Sequence, residues 1–256
     1  MYIDTHCHLD KLIEEGISVE QAIKNAKAKN VSIMIVNGTN PEQNKIILNL
    51  AKKHSEIKPA LGIYPTDTLK LSEKEIDDEI EFIIKNKEKI IAIGEVGLDL
   101  KESEQLKTLD KQKRNLEKFV NLAIKIKKPL IIHSRKAELH TIELLEKLNA
   151  KAVIMHCFSG KMSLVDRIVK NNWLLSIPAN SHYSQQFQDV IKRVPIQNLL
   201  CETDTPYLHP LKKWPNQPSN VIYSYKKIAE IKKIKLKEVE EKLEDNFNRL
   251  FNNQKL

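Results

Sequence analysis

Eight short apolar segments are spaced along nearly the whole chain, and longer amphipathic stretches separate them. The segments are rich in Val, Ile and Leu, as are strands that are buried on both faces of a parallel sheet. The candidate strands are Tyr2–His6, Val31–Val36, Ile57–Leu61, Ile90–Glu95, Leu130–His133, Ala152–His156, Trp173–Ile177 and Asn198–Glu202. Eight strands that alternate with helices, without a break in composition, predict an α/β fold whose sheet closes into a (β/α)8 TIM barrel.

The amphipathic stretches carry recognisable helix-start signals. Ser18 and the pair Asn40-Pro41 are suitable N-caps, and Ser72 with Glu75 matches a capping box. Further helical patterns run over Ser103–Lys127, Lys136–Asn149, Lys161–Asn171, Gln185–Val194 and the tail Val221–Leu250. Because 256 residues is the usual size of one such barrel, we expect residues 1–256 to form a single domain.

Composition limits the class of protein. No window approaches the roughly 18 uncharged apolar residues of a membrane span, and the N-terminus lacks the pattern of a secretory signal. Three cysteines in a long chain argue against a disulfide scaffold, so we expect a cytoplasmic protein without a membrane partner. The net charge of +8 suits an anionic partner such as nucleic acid, or it reflects a surface rich in lysine, since only five residues are arginine.

Side chains that bind metals stand where several of the apolar segments end. In parallel strands these ends meet at one rim, which is where barrel enzymes place their chemistry. His6 and His8 are two residues apart and therefore point the same way from a strand. The predicted metal ligands are His6, His8, Glu95, His133, His156 and Asp204.

The acidic residues of this set suggest a hydrolytic centre with two divalent cations. Glu95 has two oxygens and can bridge cations about 3.5–4 Å apart. Two such cations, offset by Glu95, Asp204 and a hydroxide, leave a small positive charge that suits a phosphodiester. Mixed nitrogen and oxygen ligands fit Zn, Mn, Co or Ni, and Mg where carboxylates and phosphate dominate. Glu95 and Asp204 are the predicted catalytic groups, and Glu202, on the same face as Asp204, orients a ligand or contacts substrate.

The predicted ligands lie in five distinctive blocks of sequence, which comprise residues 4–10 (DTHCHLD), 94–99 (GEVGLD), 131–135 (IIHSR), 156–160 (HCFSG) and 202–208 (ETDTPYL). These blocks resemble the signature blocks of the TatD family, whose members are metal-dependent deoxyribonucleases of the amidohydrolase-like barrel superfamily. The blocks follow the order of the family from residue 4 to 208, and the ending 245–251 is also similar.

The resemblance implies how the ligands are divided between the cations. One cation is expected to be held by His6, His8, Glu95 and Asp204, and the second by Glu95, His133 and His156. The expected activity is deoxyribonuclease cleavage of phosphodiester bonds by a metal-activated water. Two alternatives stay open: a metal-dependent esterase or amidohydrolase, for example acting on aminoacyl esters, and a nucleic-acid-binding barrel with a vestigial site.

The chain departs from the family at positions that contact substrate. Tyr64 stands where the family usually has a histidine, and it remains a candidate substrate contact through a hydrogen bond or stacking. Trp214 lies in a segment without the family's usual arginine, where Lys212 and Lys213 are possible substitutes. Arg135 is predicted to bind phosphate, or else to form a surface ion pair. The aromatic side chains Tyr64, Phe158, Tyr207 and Trp214 either stack on bases or cover the core.

The roles of a few neighbouring residues are less constrained. Asp99 is expected either to support the ligands and their loop or to cap a helix. Cys7, Cys157 and Cys201 adjoin predicted ligands but alternate to the opposite face, so we expect them to be small buried packing residues.

Overall fold

Eight parallel strands, hydrogen-bonded in the order in which they occur in the chain, form one sheet. The computed structural model describes residues 1–101 and 106–251. The strands are β1 (Tyr2–Cys7), β2 (Val31–Asn37), β3 (Ile57–Leu61), β4 (Ala92–Asp99), β5 (Leu130–Arg135), β6 (Val153–His156), β7 (Leu174–Pro178) and β8 (Leu199–Glu202). The largest difference from the prediction is in β4, which continues past Glu95 to Asp99.

The sheet closes because β1 meets the segment that follows β8. Cys7 pairs with Thr205 in parallel orientation, and the Thr205 carbonyl accepts a hydrogen bond from His8 N–H at 2.9 Å. The N–H of Asp204 likewise donates to the His6 carbonyl at 2.9 Å. The predicted (β/α)8 barrel is therefore confirmed.

Helices fill the connections between the strands, and their predicted caps are confirmed. Ser18 accepts a hydrogen bond from Gln21 N–H, Asn40 caps the next helix, and Ser72 forms a capping box with Glu75. The helices are α1 (Val19–Lys27), α2 (Pro41–Lys53), α3 (Glu73–Lys85), α4 (Leu106–Ile126), α5 (Glu138–Lys147), α6 (Met162–Lys170), α7 (Gln185–Arg193), α8 (Ile222–Lys232) and α9 (Leu236–Phe251). Among the helices of residues 1–101 and 106–251, none is long and apolar enough to cross a bilayer.

The tail does not form the single helix that its periodicity predicts. A short 3-10 helix over Pro218–Val221 precedes α8, and the chain turns at Lys233, whose φ of +56° ends α8 before α9 begins. The apolar spacing continues on both sides of this turn, so periodicity alone does not reveal the break. The predicted start of the longest helix, Ser103, lies outside the described residues, and α4 ends at Ile126, close to the predicted end.

The barrel interior is filled by one side chain from each strand. These eight side chains belong to one apolar cluster, which also includes Phe247 and Phe251 of α9. The strand residues are Ile3, Ile35, Ala60, Ala92, Ile131, Ile154, Leu174 and Leu200. A second and larger apolar cluster includes side chains of strands and surrounding helices, so the sheet is buried on both faces. Because apolar side chains cover both faces of the sheet, the C-terminal ends of the strands remain as the place for polar side chains.

Candidate metal centre

The predicted ligands meet at the C-terminal rim of the barrel. Five of them line a cleft of about 560 Å³, namely His8, Glu95, His133, His156 and Asp204, while His6 lies fully buried beside them. A second cleft, of about 390 Å³, lies near the starts of β5 and β6 at Leu130 and Ala152. The second cleft is lined mainly by apolar side chains and lysines, and none of the three metal-donor groups found in the described part of the chain lies there.

Glu95 lies at the centre of the ligands and directs each of its oxygens to a different pair of histidines. Oε2 is 3.5 Å from Nε2 of both His6 and His8. Oε1 is 2.9 Å from His133 Nδ1 and 3.1 Å from His156 Nε2. The two histidine pairs therefore form two donor sets that share one carboxylate.

Asp204 completes the first donor set. Its Oδ1 is 3.6 Å from His6 Nε2 and 3.7 Å from His8 Nε2. The residue adopts a left-handed conformation with φ of +55°, which Asp tolerates better than most residues. Its N–H is bonded to His6 of β1, and its carbonyl accepts from Tyr207 N–H at 2.8 Å, so both main-chain polar groups of Asp204 are fixed.

The donor chemistry of the first set fits a divalent cation. His8 Nδ1 lies 3.0 Å from the Asn37 carbonyl, and only an N–H on Nδ1 can make that hydrogen bond. The lone pair of His8 is therefore on Nε2, which lies 3.2 Å from His6 Nε2. Donor atoms of His6, His8 and Glu95 lie within 4.8 Å of one another, and with Asp204 they form a ligand set that is suitable for Zn²⁺ or Mn²⁺.

Asp99 supports the second donor set from behind His133. Its Oδ2 is 3.2 Å from His133 Nε2, and it accepts hydrogen bonds from Tyr64 Oη at 2.5 Å and Arg135 Nη2 at 2.6 Å. When Nε2–H of His133 donates to the Asp99 carboxylate, the proton is held on Nε2, and the lone pair on Nδ1 faces Glu95. Of the two roles that the sequence left open for Asp99, the geometry favours support of a ligand.

Glu202 has a comparable position behind His156. Its side chain is fully buried, Oε1 lies 3.5 Å from His156 Nδ1, and the Ser176 hydroxyl donates to Oε2. The ring of His156 also stacks on that of His6, with centroids 3.9 Å apart. Glu202 thus lies beneath His156 rather than along the cleft, where a substrate contact was predicted; that contact stays a prediction.

A further buried carboxylate, Asp4, was not identified from the sequence. Its Oδ1 accepts from His6 N–H at 3.3 Å and from Thr203 N–H at 2.9 Å, and its Oδ2 accepts from the Thr203 hydroxyl at 2.5 Å. Asp4 therefore joins β1 to the segment after β8 and fixes the backbone of His6. An acidic residue inside an apolar run, two positions before His6, was the available signal.

The acidic ligands respond differently to burial. Burial raises the pKa of Asp204 to about 6, although His6 and His156 partly oppose the shift. Burial also disfavours the charged form of Glu95, but the surrounding histidines outweigh it and hold the pKa of Glu95 well below its usual range. The surroundings thus favour the ionised form of Glu95 and the protonated form of Asp204 relative to ordinary carboxyl groups.

The pKa values of the histidines are also shifted in different directions by burial and by neighbouring charges. Burial disfavours protonation of His156, but the charges of Glu202 and Glu95 outweigh it and raise its pKa well above the usual value. Hydrogen bonding to Asp99 likewise raises the pKa of His133 against the effect of burial. The pKa of His8 is lowered well below the usual value by burial and nearby positive charge. Because the raised pKa values favour protons on His133 and His156, a cation that binds to the second donor set would displace those protons.

The aromatic and cationic candidates separate into buried and accessible groups. Phe158 is only 1% exposed and packs in the core, which excludes stacking on a substrate. Tyr64 and Arg135 both line the cleft, and their side chains are joined by a hydrogen bond of 3.2 Å. Tyr207 also lines the cleft, and Trp214 is exposed beside it.

All three cysteines are free; Cys7 and Cys201 are buried as predicted, and Cys157 is partly exposed.

A closed (β/α)8 barrel with histidines and carboxylates gathered at the C-terminal rim is the architecture of a metal-dependent hydrolase. Residues 3–252 match the profile of the family described as TatD related DNase. The chain therefore belongs to the TatD family, and the predicted resemblance is confirmed.

Similar proteins cover almost the same length. The uncharacterized metal-dependent hydrolase YabD of Bacillus subtilis is 32% identical, over 98% of this chain and 99% of that protein. Deoxyribonuclease TATDN3 of Homo sapiens is 30% identical, over 97% of this chain and 94% of that protein. The crystal structure of the TatD homologue YJJV from Escherichia coli superposes with a TM-score of 0.89, at 26% identity and 98% coverage of both chains. The chain is thus a TatD-type metal-dependent hydrolase.

Proposed function

We propose that this hydrolase cleaves phosphodiester bonds in DNA and uses two divalent cations of Mg, Mn or Zn. The observation that carries the proposal is the position of Glu95, whose two oxygens face separate histidine pairs at 2.9–3.5 Å. A shared carboxylate between two donor sets is the arrangement of two-metal hydrolases. The name of the human relative, Deoxyribonuclease TATDN3, supports DNA as the substrate.

The charge of the cleft favours a phosphate over a neutral ester once cations are present. Without cations, protons on His133 and His156 partly offset the negative charge of Glu95, Asp99 and Asp204. Two divalent cations would replace those protons and make the centre more positive. Lys11 and Arg135, which line the same cleft, then provide further positive charge around a bound phosphate.

Each ligand has a defined part in the proposal. His6, His8, Asp204 and one oxygen of Glu95 would hold the first cation, and the other oxygen of Glu95 with His133 and His156 would hold the second. When bound, the cations supply an activated water and stabilise charge on the phosphoryl oxygens. Asp204 would accept the proton of the attacking water, since its carboxylate lies at the centre, 3.6 and 3.7 Å from the two histidines of the first donor set.

The test is hydrolysis of end-labelled DNA by the purified protein after chelation and after addition of Mg²⁺, Mn²⁺ or Zn²⁺. Activity should disappear on chelation and return with at least one cation. His156→Ala and Asp204→Ala should reduce the rate at least about 1,000-fold, because each removes a metal ligand. Circular dichroism checks that both variants keep the fold.

His140→Ala is the matched control, since His140 is a partly exposed histidine on α5 that contacts only a surface glutamate among the described ion pairs. Its rate should equal that of the unmodified protein. The same preparations are offered bis-p-nitrophenyl phosphate and carboxylic esters. Full activity of either site variant, or turnover of carboxylic esters alone, would contradict the proposal.

A further inference from the structure

Two large aromatic side chains are exposed next to the metal centre. Tyr207 is 42% exposed and Trp214 is 55% exposed, whereas the second tryptophan, Trp173, is 1% exposed. The ring centroids of Tyr207 and Trp214 are 5.7 Å apart and the rings are tilted by 55°. Exposed aromatic pairs of this kind leave ring faces in contact with water, and such surfaces commonly mark binding sites.

Tyr207, one member of the pair, is hydrogen-bonded to the proposed ligand Asp204. Tyr207 follows Asp204 by three residues, and its N–H donates to the Asp204 carbonyl at 2.8 Å. Its side chain lines the same cleft as Glu95 and His156. A group that packs on the pair is therefore close to any phosphate that is bound at the centre.

Both rings are held in place by neighbouring side chains. The indole N–H of Trp214 donates to Glu15 Oε2 at 2.5 Å, and Lys11 Nζ lies 5.4 Å from the centre of the Tyr207 ring. An aromatic platform that is fixed before binding loses little conformational entropy when a ligand packs on it.

The charge next to the pair indicates the chemistry of its ligand. Lys11 lines the cleft beside Tyr207, and the exposed Lys212 and Lys213 directly precede Trp214 in the chain. A flat aromatic group that carries a nearby negative charge matches both features. A nucleobase attached to a sugar–phosphate chain is such a group, since its face stacks on an aromatic ring and its phosphate pairs with lysine.

We propose that Tyr207 and Trp214 form a stacking subsite for an unpaired nucleobase next to the phosphate that is cleaved. The subsite rests on the proposed function, because a nucleic acid must occupy the metal centre for the base to reach the rings. A base within a duplex is stacked on its neighbours, so only an unpaired base presents a face to the pair.

The test uses the fluorescence of Trp214, since Trp173 is buried and its indole N–H is bonded to the Ala150 carbonyl at 3.0 Å. The probe is pentathymidine with phosphorothioate linkages, in Ca²⁺, so that the centre is filled while cleavage is suppressed. The reference probe has the same linkages but no bases. The thymidine probe should quench the fluorescence of Trp214 and bind about 5- to 100-fold more tightly than the abasic probe. Equal affinity of the two probes would overturn the proposal.

Variants locate the effect. Because these variants lack Trp214, their binding is followed by the fluorescence anisotropy of end-labelled probes. Trp214→Ala should weaken thymidine binding about 5- to 100-fold and leave abasic binding unchanged, while Trp214→Phe should stay within about threefold because it retains a ring. Leu139→Ala is the matched control: Leu139 is a large apolar side chain that is 44% exposed on α5 and does not line the cleft. An equal loss in Leu139→Ala would contradict a local subsite.

The readout separates the two proposals. Binding with cleavage suppressed does not depend on turnover, so base-dependent quenching can persist if the DNase assay fails. Conversely, DNA hydrolysis with equal affinity for both probes would overturn the stacking subsite and leave the proposed function intact.

Discussion

Replacing Asp99 by Asn tests whether the contact behind His133 supports metal binding. In the structure Asp99 Oδ2 lies 3.2 Å from His133 Nε2 and accepts shorter hydrogen bonds from Tyr64 and Arg135. The side chain of Asp99 is fully buried, and asparagine has nearly the same volume. The substitution therefore removes a negative charge and one acceptor oxygen without creating a large cavity.

The expected size of the effect follows from the role of that contact. A carboxylate on the far nitrogen of a histidine fixes its tautomer and increases its basicity, and its loss typically costs about 10- to 100-fold in metal affinity, or about 1.4–2.7 kcal/mol. We expect this loss at the cation held by Glu95, His133 and His156. The cation held by His6 and His8 should bind within about threefold of its original affinity, because these histidines do not contact Asp99 in the described ion pairs.

The assay is calorimetric titration of the metal-free protein with Mn²⁺, with thermal unfolding in chelator as a check of the fold. Asp67→Asn is the matched control, because Asp67 lines the same cleft but bonds Lys70 at 2.6 Å rather than a histidine. Its titration should match that of the unmodified protein within about twofold. An equal loss of Mn²⁺ affinity in both variants would show that removing a negative charge anywhere in the cleft has the same effect. An unchanged affinity in Asp99→Asn would refute the role of the contact with His133.

Two further predictions concern packing and protons. Gly97→Ala should lower the melting temperature by about 2–12 °C, because a Cβ at Gly97 would lie 1.9 Å from the His133 carbonyl oxygen, and overpacking costs about 1–3 kcal/mol. Gly16→Ala is the control, since Gly16 also has a positive φ but no atom within 4 Å, and an equal shift in both variants would exclude the clash as the cause. Metal binding should release protons, and more at pH 6 than at pH 8, because the raised pKa of His156 and the pKa of about 6 of Asp204 leave protons on the metal-free site. Calorimetry in two buffers of different ionisation enthalpy measures the release, and identical enthalpies at pH 6 would disprove it.

The convergence of the six predicted ligands was accessible from the sequence. Each ligand follows or ends an apolar run, and parallel strands in sequential order bring such ends to one rim. The atom that each ligand presents was not accessible in this way. The lone pair of His8 is directed by the Asn37 carbonyl and that of His133 by Asp99, and both partners lie on other strands. Tautomers are tertiary properties, and no local pattern encodes them.

The end of β4 shows a second limit. The apolar run of the sequence ends at Glu95, so the strand was predicted to end there. In the structure β4 continues to Asp99 because Gly97 allows the backbone to approach His133 on β5. The turn at Lys233 is similar, since a non-glycine residue with positive φ carries no sequence signal.

The hydrogen bond between Asp204 and His6 has a consequence for biosynthesis. His6 leaves the ribosome well before Asp204, which follows only after all eight strands have been made. A nascent polypeptide consequently lacks Asp204, and with it a complete first donor set, until the last strand has been made. The second donor set, Glu95, His133 and His156, comes earlier in the chain, so the two proposed cation sites would become complete at different stages of synthesis.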